Sequence, residues 1–263
     1  MASSRGWSNS EKEEIIKRYR EGESSPEIAQ DFGVSDVAIR NRLDKWGVER
    51  RSRKELQELG QIRENDVNDS CFSVIDTPEK AYWLGFINAD GCLTTQNRLT
   101  VELSVRDRSH LLKLKEALSA ENKIYERQNL CSLVITSKRL SDSLKDLGVK
   151  PRKSKSSGET VKIPNNLSSH FWRGMIDGDG HFSTSQRTIV LAGNEQSISD
   201  FSEWVHTTAP DATTRPYKEV KTWKAHVCGD SATKVARVLY RNSSKDTRLN
   251  RKYERAQQYW RHG

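Results

Sequence analysis

The sequence lacks the features that mark membrane, secreted and disulfide-bonded proteins. Its 263 residues contain no apolar run near the roughly 20 residues that a membrane span needs. The opening stretch, MASSRGWSNSEKEE, has no apolar segment of a secretory signal. Four cysteines lie far apart without a CxxC pair, so neither a disulfide framework nor a zinc knuckle is indicated. We therefore expect a soluble intracellular protein, cytoplasmic or nucleoid-associated, with no membrane partner.

The charge balance is basic. Lys and Arg together number 44 against 36 for Asp and Glu, which gives a formal net charge of +8. An excess of this sign favours a polyanionic partner such as nucleic acid, although an ordinary basic surface gives the same count. The length allows a small domain beside a medium one.

Residues 10 to 47 predict three short helices. Ser10, Ser25 and Ser35 are placed to cap their N-termini, and Gly33 and Gly47 to end the second and third. The tight turn between the second and third helices is typical of a helix-turn-helix unit.

The stretch SSPEIAQDFGVSDVAIRNRL carries this resemblance to helix-turn-helix DNA-binding domains. The resemblance implies that Asp36, Val37, Arg40 and Asn41 face the major groove, with Arg40 and Asn41 reading DNA. The basic run ERRSRK at 49–54 favours the same interpretation. A small helical bundle that contacts protein is the alternative.

The rest of the chain repeats one order of elements. A helix, PEKAYWLGFINAD, is followed by alternating strands and two further helices in the order αββαββα, and the same order returns after HFWRGMIDGDG. A long basic helix over about 247–261 closes the chain. We predict an α+β fold with two such repeats after a small all-α domain. The predicted boundaries are 1–50 for the helix-turn-helix domain, 51–71 for a linker, 72–150 for the first repeat and 151–263 for the second.

The two repeats open with the same motif. WLGFINADG at 83–91 aligns without a gap on WRGMIDGDG at 172–180, at an offset of 89 residues. Two copies in register, each before the same elements, are far stronger evidence than one. The identities are Trp83/Trp172, Gly85/Gly174, Ile87/Ile176, Asp90/Asp179 and Gly91/Gly180.

The motif predicts a pair of acids that need a cation. Small residues four apart in each copy let two helices pack backbone against backbone. Asp90 and Asp179 each end a helix, where the helix dipole disfavours a carboxylate by roughly 0.3 to 1 kcal/mol. A hard divalent cation such as Mg²⁺ relieves this cost and the repulsion between the acids, and suits phosphodiester hydrolysis. Two ordinary Asp-Gly helix ends are the alternative.

The paired motif resembles that of the LAGLIDADG homing endonucleases in their single-chain, two-repeat form, over residues 72–263. The resemblance implies a pseudo-symmetric saddle of two antiparallel sheets on double-stranded DNA, a central helix pair and a staggered double-strand cut at a long asymmetric target. It also implies a monomer with an internal pseudo-two-fold axis. Mg²⁺, or another divalent cation such as Mn²⁺, is then bound by Asp90 and Asp179, with the carbonyls of Ala89 and Gly178.

Two further points follow from the resemblance. Asn88 stands where the second copy has Asp177, a position that is not a metal ligand in the family, so the halves are not equivalent. Basic residues often lie near each scissile phosphate, and the segments PRKSKS at 151–156 and LNRKYERA at 249–256 nominate Lys153 and Lys252 as auxiliary catalytic residues. Solvated or phosphate-anchoring lysines are an equal alternative.

Base reading is assigned to the polar faces of the strands, because a two-stranded ribbon fits the roughly 12 Å major groove. The candidate DNA-binding residues are Arg98, Thr100, Glu102, Ser104 and Arg106 in the first repeat, and Ser183, Ser185, Arg187, Lys218, Lys224 and His226 in the second.

The sequence thus predicts a metal-dependent, sequence-specific double-strand DNA endonuclease. A DNA-binding regulator that has lost cleavage and an RNA maturase on the same scaffold stay open as alternatives. Residues Pro210, Asp211, Glu219, Val220 and Lys221 also spell a PD…ExK nuclease pattern, which we interpret as chance because it falls where the second repeat needs a hairpin.

Overall fold

The computed structural model describes residues 6–52, 55, 59, 67–150, 161–214, 216–220 and 222–261. The chain divides into two compact units, 1–65 and 66–263. Within the described residues, every helix falls short of the length and apolar character that a membrane crossing requires.

The described part of the first unit contains three short helices over residues 9–45, as the sequence predicts. They are α1 (Asn9–Arg20), α2 (Ser25–Asp31) and α3 (Asp36–Lys45). Their inward faces form a small core in which Ile15, Ile28 and Ile39 are fully buried. Gly33 and Gly47 follow the second and third helices with positive φ, the conformation for which their position was predicted.

The N-terminal caps of the first two helices differ from the prediction. Ser8 caps α1 and Ser24 caps α2, instead of Ser10 and Ser25. The reason is the glutamate three residues after each cap, Glu11 or Glu27. Its carboxylate accepts a hydrogen bond from the backbone N–H of the serine and completes a capping box. Ser35 caps α3, as expected.

The second unit contains both predicted αββαββα repeats. The first has α4 (Pro78–Asp90), β1 (Gly91–Leu93), β2 (Arg98–Ser104), α5 (Arg108–Ala117), β3 (Ile124–Arg127), β4 (Leu130–Thr136) and α6 (Lys138–Asp146). The second has α7 (Ser168–Asp179), β5 (Gly180–Ser183), β6 (Thr188–Gly193), α8 (Glu195–Thr208), β7 (Tyr217–Glu219), β8 (Thr222–Cys228) and α9 (Gly229–Tyr240). The predicted closing helix is α10 (Asn250–Arg261).

Each repeat folds into one four-stranded antiparallel sheet. The strand orders are β1-β2-β4-β3 and β5-β6-β8-β7, so the same topology occurs twice. One hydrophobic core runs through both repeats and includes side chains of both motif helices, for example Trp83 and Trp172. The α+β fold class is thereby confirmed.

Residues 105–107 depart from the predicted strand. They form a 3₁₀ helix between β2 and α5, and Asp107 is buried there with a bidentate bond to Arg251 of α10. A distant ion pair therefore ends the strand two residues before its alternating pattern does. As a result Arg106 stands outside the sheet.

The beginning of the second unit also lies earlier than the predicted 72. The Asn68 amide donates to the Leu118 carbonyl at 2.8 Å, and Asp69 accepts from Ser137. Residues 67–71, predicted as linker, therefore pack on the first repeat, where Cys71 is buried in its core.

Candidate active site at the helix pair

The two motif helices, α4 and α7, cross with their backbones in contact at Gly85 and Gly174. A Cβ built on Gly174 would lie 2.1 Å from the Tyr82 carbonyl oxygen and 2.6 Å from the Phe86 amide nitrogen. A Cβ on Gly85 would lie 2.1 Å from the Phe171 carbonyl oxygen. Only glycine fits at either position, because the obstructing atoms are main-chain atoms that cannot rotate away.

The same contact continues toward the C-terminal ends of the helices, which are the motif acids Asp90 and Asp179. A Cβ on Gly178 would touch the Ala89 Cβ and would lie 3.3 Å from the Asp90 Oδ2. Asp90 therefore lies against the residue that precedes Asp179, although the two acids are 89 residues apart in sequence. The C-terminal ends of the two motif helices therefore lie side by side, with Asp90 against Gly178.

Lys252 of α10 caps the C-terminal end of α7. Its ammonium donates to the carbonyls of Ile176, Asp177 and Gly178 at 2.9, 2.7 and 2.8 Å. Only 5% of the residue is exposed, and burial lowers its pKa to about 8. Since an ammonium has three N–H donors, all three are used inside the protein. Lys252 thus lies beside the acid pair, but as a helix cap.

Asp177 is a buried hydrogen-bond acceptor whose donors come from both repeats and from the residue before α10. It accepts hydrogen bonds from the Tyr82 hydroxyl at 2.9 Å, the Tyr240 hydroxyl at 2.7 Å and the Leu249 amide at 2.8 Å. Burial raises the pKa of its carboxyl, and nearby Lys252 acts in the opposite direction. The Leu249 bond holds the residue just before α10, so Asp177 also positions Lys252.

His110 extends this buried network. The single Tyr82 proton goes to Asp177, so Tyr82 accepts from the His110 Nε2–H at 2.8 Å. Burial lowers the pKa of His110 to about 3, which keeps the ring neutral. In the first repeat the position that corresponds to Asp177 is Asn88, whose side-chain amide donates to the Met175 sulfur at 3.4 Å. The two ends of the helix pair are therefore unequal, as the Asn88/Asp177 difference predicts.

The donors at the helix ends match a hard cation in kind. Within the described ranges, no cluster of three or more His, Cys, Asp or Glu side chains forms. The oxygen donors expected at this point are the carboxylates of Asp90 and Asp179 and the carbonyls of Ala89 and Gly178. Mg²⁺ typically takes one or two carboxylates and completes its shell with water and substrate oxygens, so this donor set fits it. The Gly178 carbonyl already accepts from Lys252 and has one lone pair left for a cation.

The outer face of the first sheet carries most of the predicted reading residues. Leu99, Val101 and Leu103 of β2 point into the core, and the alternate residues point outward and are exposed or half-buried. These outward residues are Arg98, Thr100, Glu102 and Ser104. Arg106, in the 3₁₀ helix, is exposed but does not extend this row.

The second sheet confirms only some of the predicted orientations. Lys224 and His226 alternate with buried Ala225 and Val227, so both face outward. Lys218 is on the opposite face, because it pairs with Trp223, whose ring packs against the core. Because β7 has only three residues, its sequence alternates too little to predict which face of the sheet Lys218 is on.

Three other predicted residues lie at one end of the second sheet. Ser183 is the last residue of β5, and Ser185 and Arg187 are in the turn before β6, where Arg187 pairs with Asp230 at 3.2 Å. The prediction missed outward residues that the register reveals, namely His181, Val190, Ala192 and Tyr217.

The predicted reading residues of the first unit are exposed on α3. Arg40 forms an ion pair with Asp36 one turn earlier, and Asn41 is exposed beside it. Val37, on the same helix, is 50% exposed.

The PD…ExK pattern and Lys153 are the remaining candidates from the sequence. In the PD…ExK pattern, Asp211 pairs with Lys234 and Glu219 pairs with Lys224, so its two acids are held by different partners. Lys221 of that pattern and the nominated Lys153 lie outside the described residues.

Comparison with known proteins gives one family match and several solved structures. Residues 10–45 match the family of the CENP-B N-terminal DNA-binding domain. A search of curated protein sequences gave no match. Several solved structures are similar to this chain at 17% sequence identity or below. The LAGLIDADG meganuclease I-AabMI bound to uncleaved DNA is 17% identical over 58% of this chain and 79% of that chain, with a TM-score of 0.41.

Two further structures are similar over a larger share of this chain. Mesophilic variants of the homing endonuclease I-DmoI are 14% identical over 67% of this chain and 98% of that chain, with a TM-score of 0.47. Full-length DUF199/WhiA from Thermatoga maritima is 14% identical over 72% of this chain, with a TM-score of 0.46, and the match spans 63% of its own length.

Proposed function

We propose that this protein is a sequence-specific double-strand DNA endonuclease that requires a divalent cation. The observation that carries the proposal is the acid pair: Asp90 and Asp179 end two helices whose glycines are in backbone contact. Two carboxylates at the negative ends of two helix dipoles are unfavourable in the protein alone and favourable around a cation. One acid from each repeat corresponds to one cut in each DNA strand.

The roles of the residues follow from their positions. Asp90 and Asp179 hold the cation, with the carbonyls of Ala89 and Gly178 as further oxygen donors. A bound divalent cation supplies activation of a water and stabilisation of the leaving oxygen during phosphodiester hydrolysis. Gly85 and Gly174 keep the acids close, and Asp177 and Lys252 keep the end of α7 fixed.

The two nominated lysines receive different assignments. Lys252 acts as a positioning residue, because its three donors are committed to α7 carbonyls and its charge lies beside both acids. Lys153 stays a proposal from sequence alone, as an auxiliary basic residue for the other strand.

DNA is bound by two surfaces. The outward residues of the two sheets read base edges, and α3 of the first unit adds a separate DNA contact through Arg40 and Asn41. Tethering a second DNA-binding unit raises affinity through effective concentration without any new contact in the cleavage site.

The test is cleavage of a supercoiled target plasmid in Mg²⁺, with duplex binding measured separately in Ca²⁺. Asp90→Asn and Asp179→Asn should each abolish double-strand cutting and retain binding, because an amide keeps the shape but loses the charge that holds the cation. Asn88→Asp is the matched control, two residues before Asp90 yet off the ligand position, and should alter cutting little.

The outcomes separate the competing functions. Full linearisation by either aspartate variant would reject the shared cation site. Binding without cutting by the unmodified protein would instead favour a DNA-binding regulator, and loss of binding in both aspartate variants would make the acids structural.

A further inference from the structure

The first sheet presents polar atoms at the two outward positions of β2 nearest to the motif acid. Cys92 follows Asp90 by two residues and pairs with Thr100. Glu102, two residues on, lies on the same outward face and pairs with Ser132. A hydroxyl and a carboxylate therefore occupy the centre of this face, next to the acid pair.

The second sheet presents hydrocarbon at the same two positions. His181 follows Asp179 by two residues and pairs with Val190, and Ala192 is the next outward residue of β6. Val190 corresponds by register to Thr100, and Ala192 to Glu102. Both side chains are half-buried on the outer face, while the alternate residues of β6 face the core.

Polar side chains flank this apolar pair. His226 pairs with Val190 and Lys224 pairs with Ala192, on the strand next to β6. The Tyr217 hydroxyl is 2.8 Å from the His226 Nε2, and the Glu219 carboxylate forms an ion pair with Lys224. Two small aliphatic side chains inside a polar rim are too little for a protein interface, which buries about 1,200 Å² or more in total. They match a ligand that is polar overall and carries isolated methyl groups.

The major groove of DNA is such a surface. Thymine is the only one of the four bases with a methyl group there, and small apolar side chains contact it. A glutamate at the corresponding place accepts from the exocyclic amine of cytosine. At the position shared by Glu102 and Ala192 the two faces therefore favour different bases.

We propose that Val190 and Ala192 select thymine in the half-site bound by the second sheet, and that Glu102 selects cytosine at the corresponding position of the other half-site. This inference rests on the proposed function, since it requires the outer faces to enter the major groove. It makes the target asymmetric in a defined way: methyl contacts in one half and an amine contact in the other.

The experiment uses the full chain and begins with selection of bound duplexes from a randomised DNA library in Ca²⁺. The selected target is then remade with deoxyuridine in place of individual thymines, which removes only the methyl group. We expect about a fourfold loss of affinity at the thymine facing Val190, the equivalent of about 0.8 kcal/mol for one buried methyl group.

Two variants make the test specific. Val190→Ser replaces both methyl groups of the side chain by one hydroxyl, so the penalty for deoxyuridine should disappear. Ala192→Ser gives a second, independent reading should the first variant fold poorly. Glu102→Gln should shift the preference in the other half from cytosine to adenine, which a glutamine binds through its amide.

The results distinguish this inference from the proposed function. Enrichment of a specific target without thymine in the second half, or equal affinity for the thymine and deoxyuridine duplexes, overturns the inference and leaves DNA recognition standing. Failure to enrich any duplex overturns both.

Discussion

Replacing Gly174 by alanine tests the central helix contact with the smallest possible change. In an ordinary helix the substitution stabilises, because alanine exceeds glycine in helix propensity by about 1 kcal/mol. Here the added methyl carbon would lie 2.1 Å from the Tyr82 carbonyl oxygen and 2.6 Å from the Phe86 amide nitrogen. Ordinary van der Waals contact begins near 3.4 Å, so α4 and α7 would have to separate by more than 1 Å.

Overpacking a core typically costs about 1–3 kcal/mol, and more where the obstructing atoms cannot move aside. Both obstructing atoms here are main-chain atoms, so we take the upper end and subtract the gain in propensity. The expected net loss is about 2 to 3 kcal/mol in the free energy of unfolding of the second unit. For a unit of this size that lowers its melting temperature by about 4 to 12 °C.

The measurement is differential scanning calorimetry of the full chain, in which the transition of the second unit is followed. Gly193→Ala is the matched control, because its added Cβ would lie 3.6 Å or more from its neighbours, an ordinary contact. We expect no loss of stability in that variant. A melting temperature for Gly174→Ala at or above that of the unmodified protein would refute the backbone contact.

Three other predictions follow from the same geometry. Burial lowers the pKa of His110 to about 3 and that of His170 to about 4, so below about pH 6.5 the unfolded chain binds more protons than the folded chain. The free energy of unfolding should therefore fall as pH decreases, by up to about 1.4 kcal/mol per pH unit for each histidine. In His110→Gln the urea midpoint should depend less steeply on pH than in the unmodified protein. An equal pH dependence would contradict the lowered pKa of His110. Lys252→Met should cost about 2 to 4 kcal/mol, because three buried carbonyls lose a charged donor, whereas exposed Lys234→Met should cost under about 0.5 kcal/mol. Deletion of residues 1–65 should leave the melting transition of the second unit intact and weaken duplex binding about 100-fold in a fluorescence polarisation assay; equal affinity would remove the DNA-reading role of Arg40 and Asn41.

Features encoded locally were predictable from the sequence. The order of elements in both repeats follows from alternation in strands such as β2 and from caps such as Ser35, which involve residues a few positions apart. The acid pair was predictable because two copies of one motif stand in register, and a repeated motif requires repeated packing.

Features that depend on distant partners were not predictable. Asp177 appeared only as an unmatched motif residue, because two of its partners, Tyr82 and Tyr240, are 95 and 63 residues away. The strand after Ser104 ended early because Asp107 binds Arg251, 144 residues away. Lys218 was assigned to the wrong face because a short edge strand carries no periodic pattern of its own.

The glycine contact between α4 and α7 also bears on how such a protein changes over evolutionary time. The separation of the two acids is set by main-chain atoms, which no substitution on the sheets replaces. Outward strand residues such as Thr100 and Val190 alternate with residues that face the core. Under the proposed function, recognition can therefore change one outward position at a time while the glycine contact between the helices is kept. A scaffold arranged in this way can move to new DNA targets by small steps and keep the same chemistry.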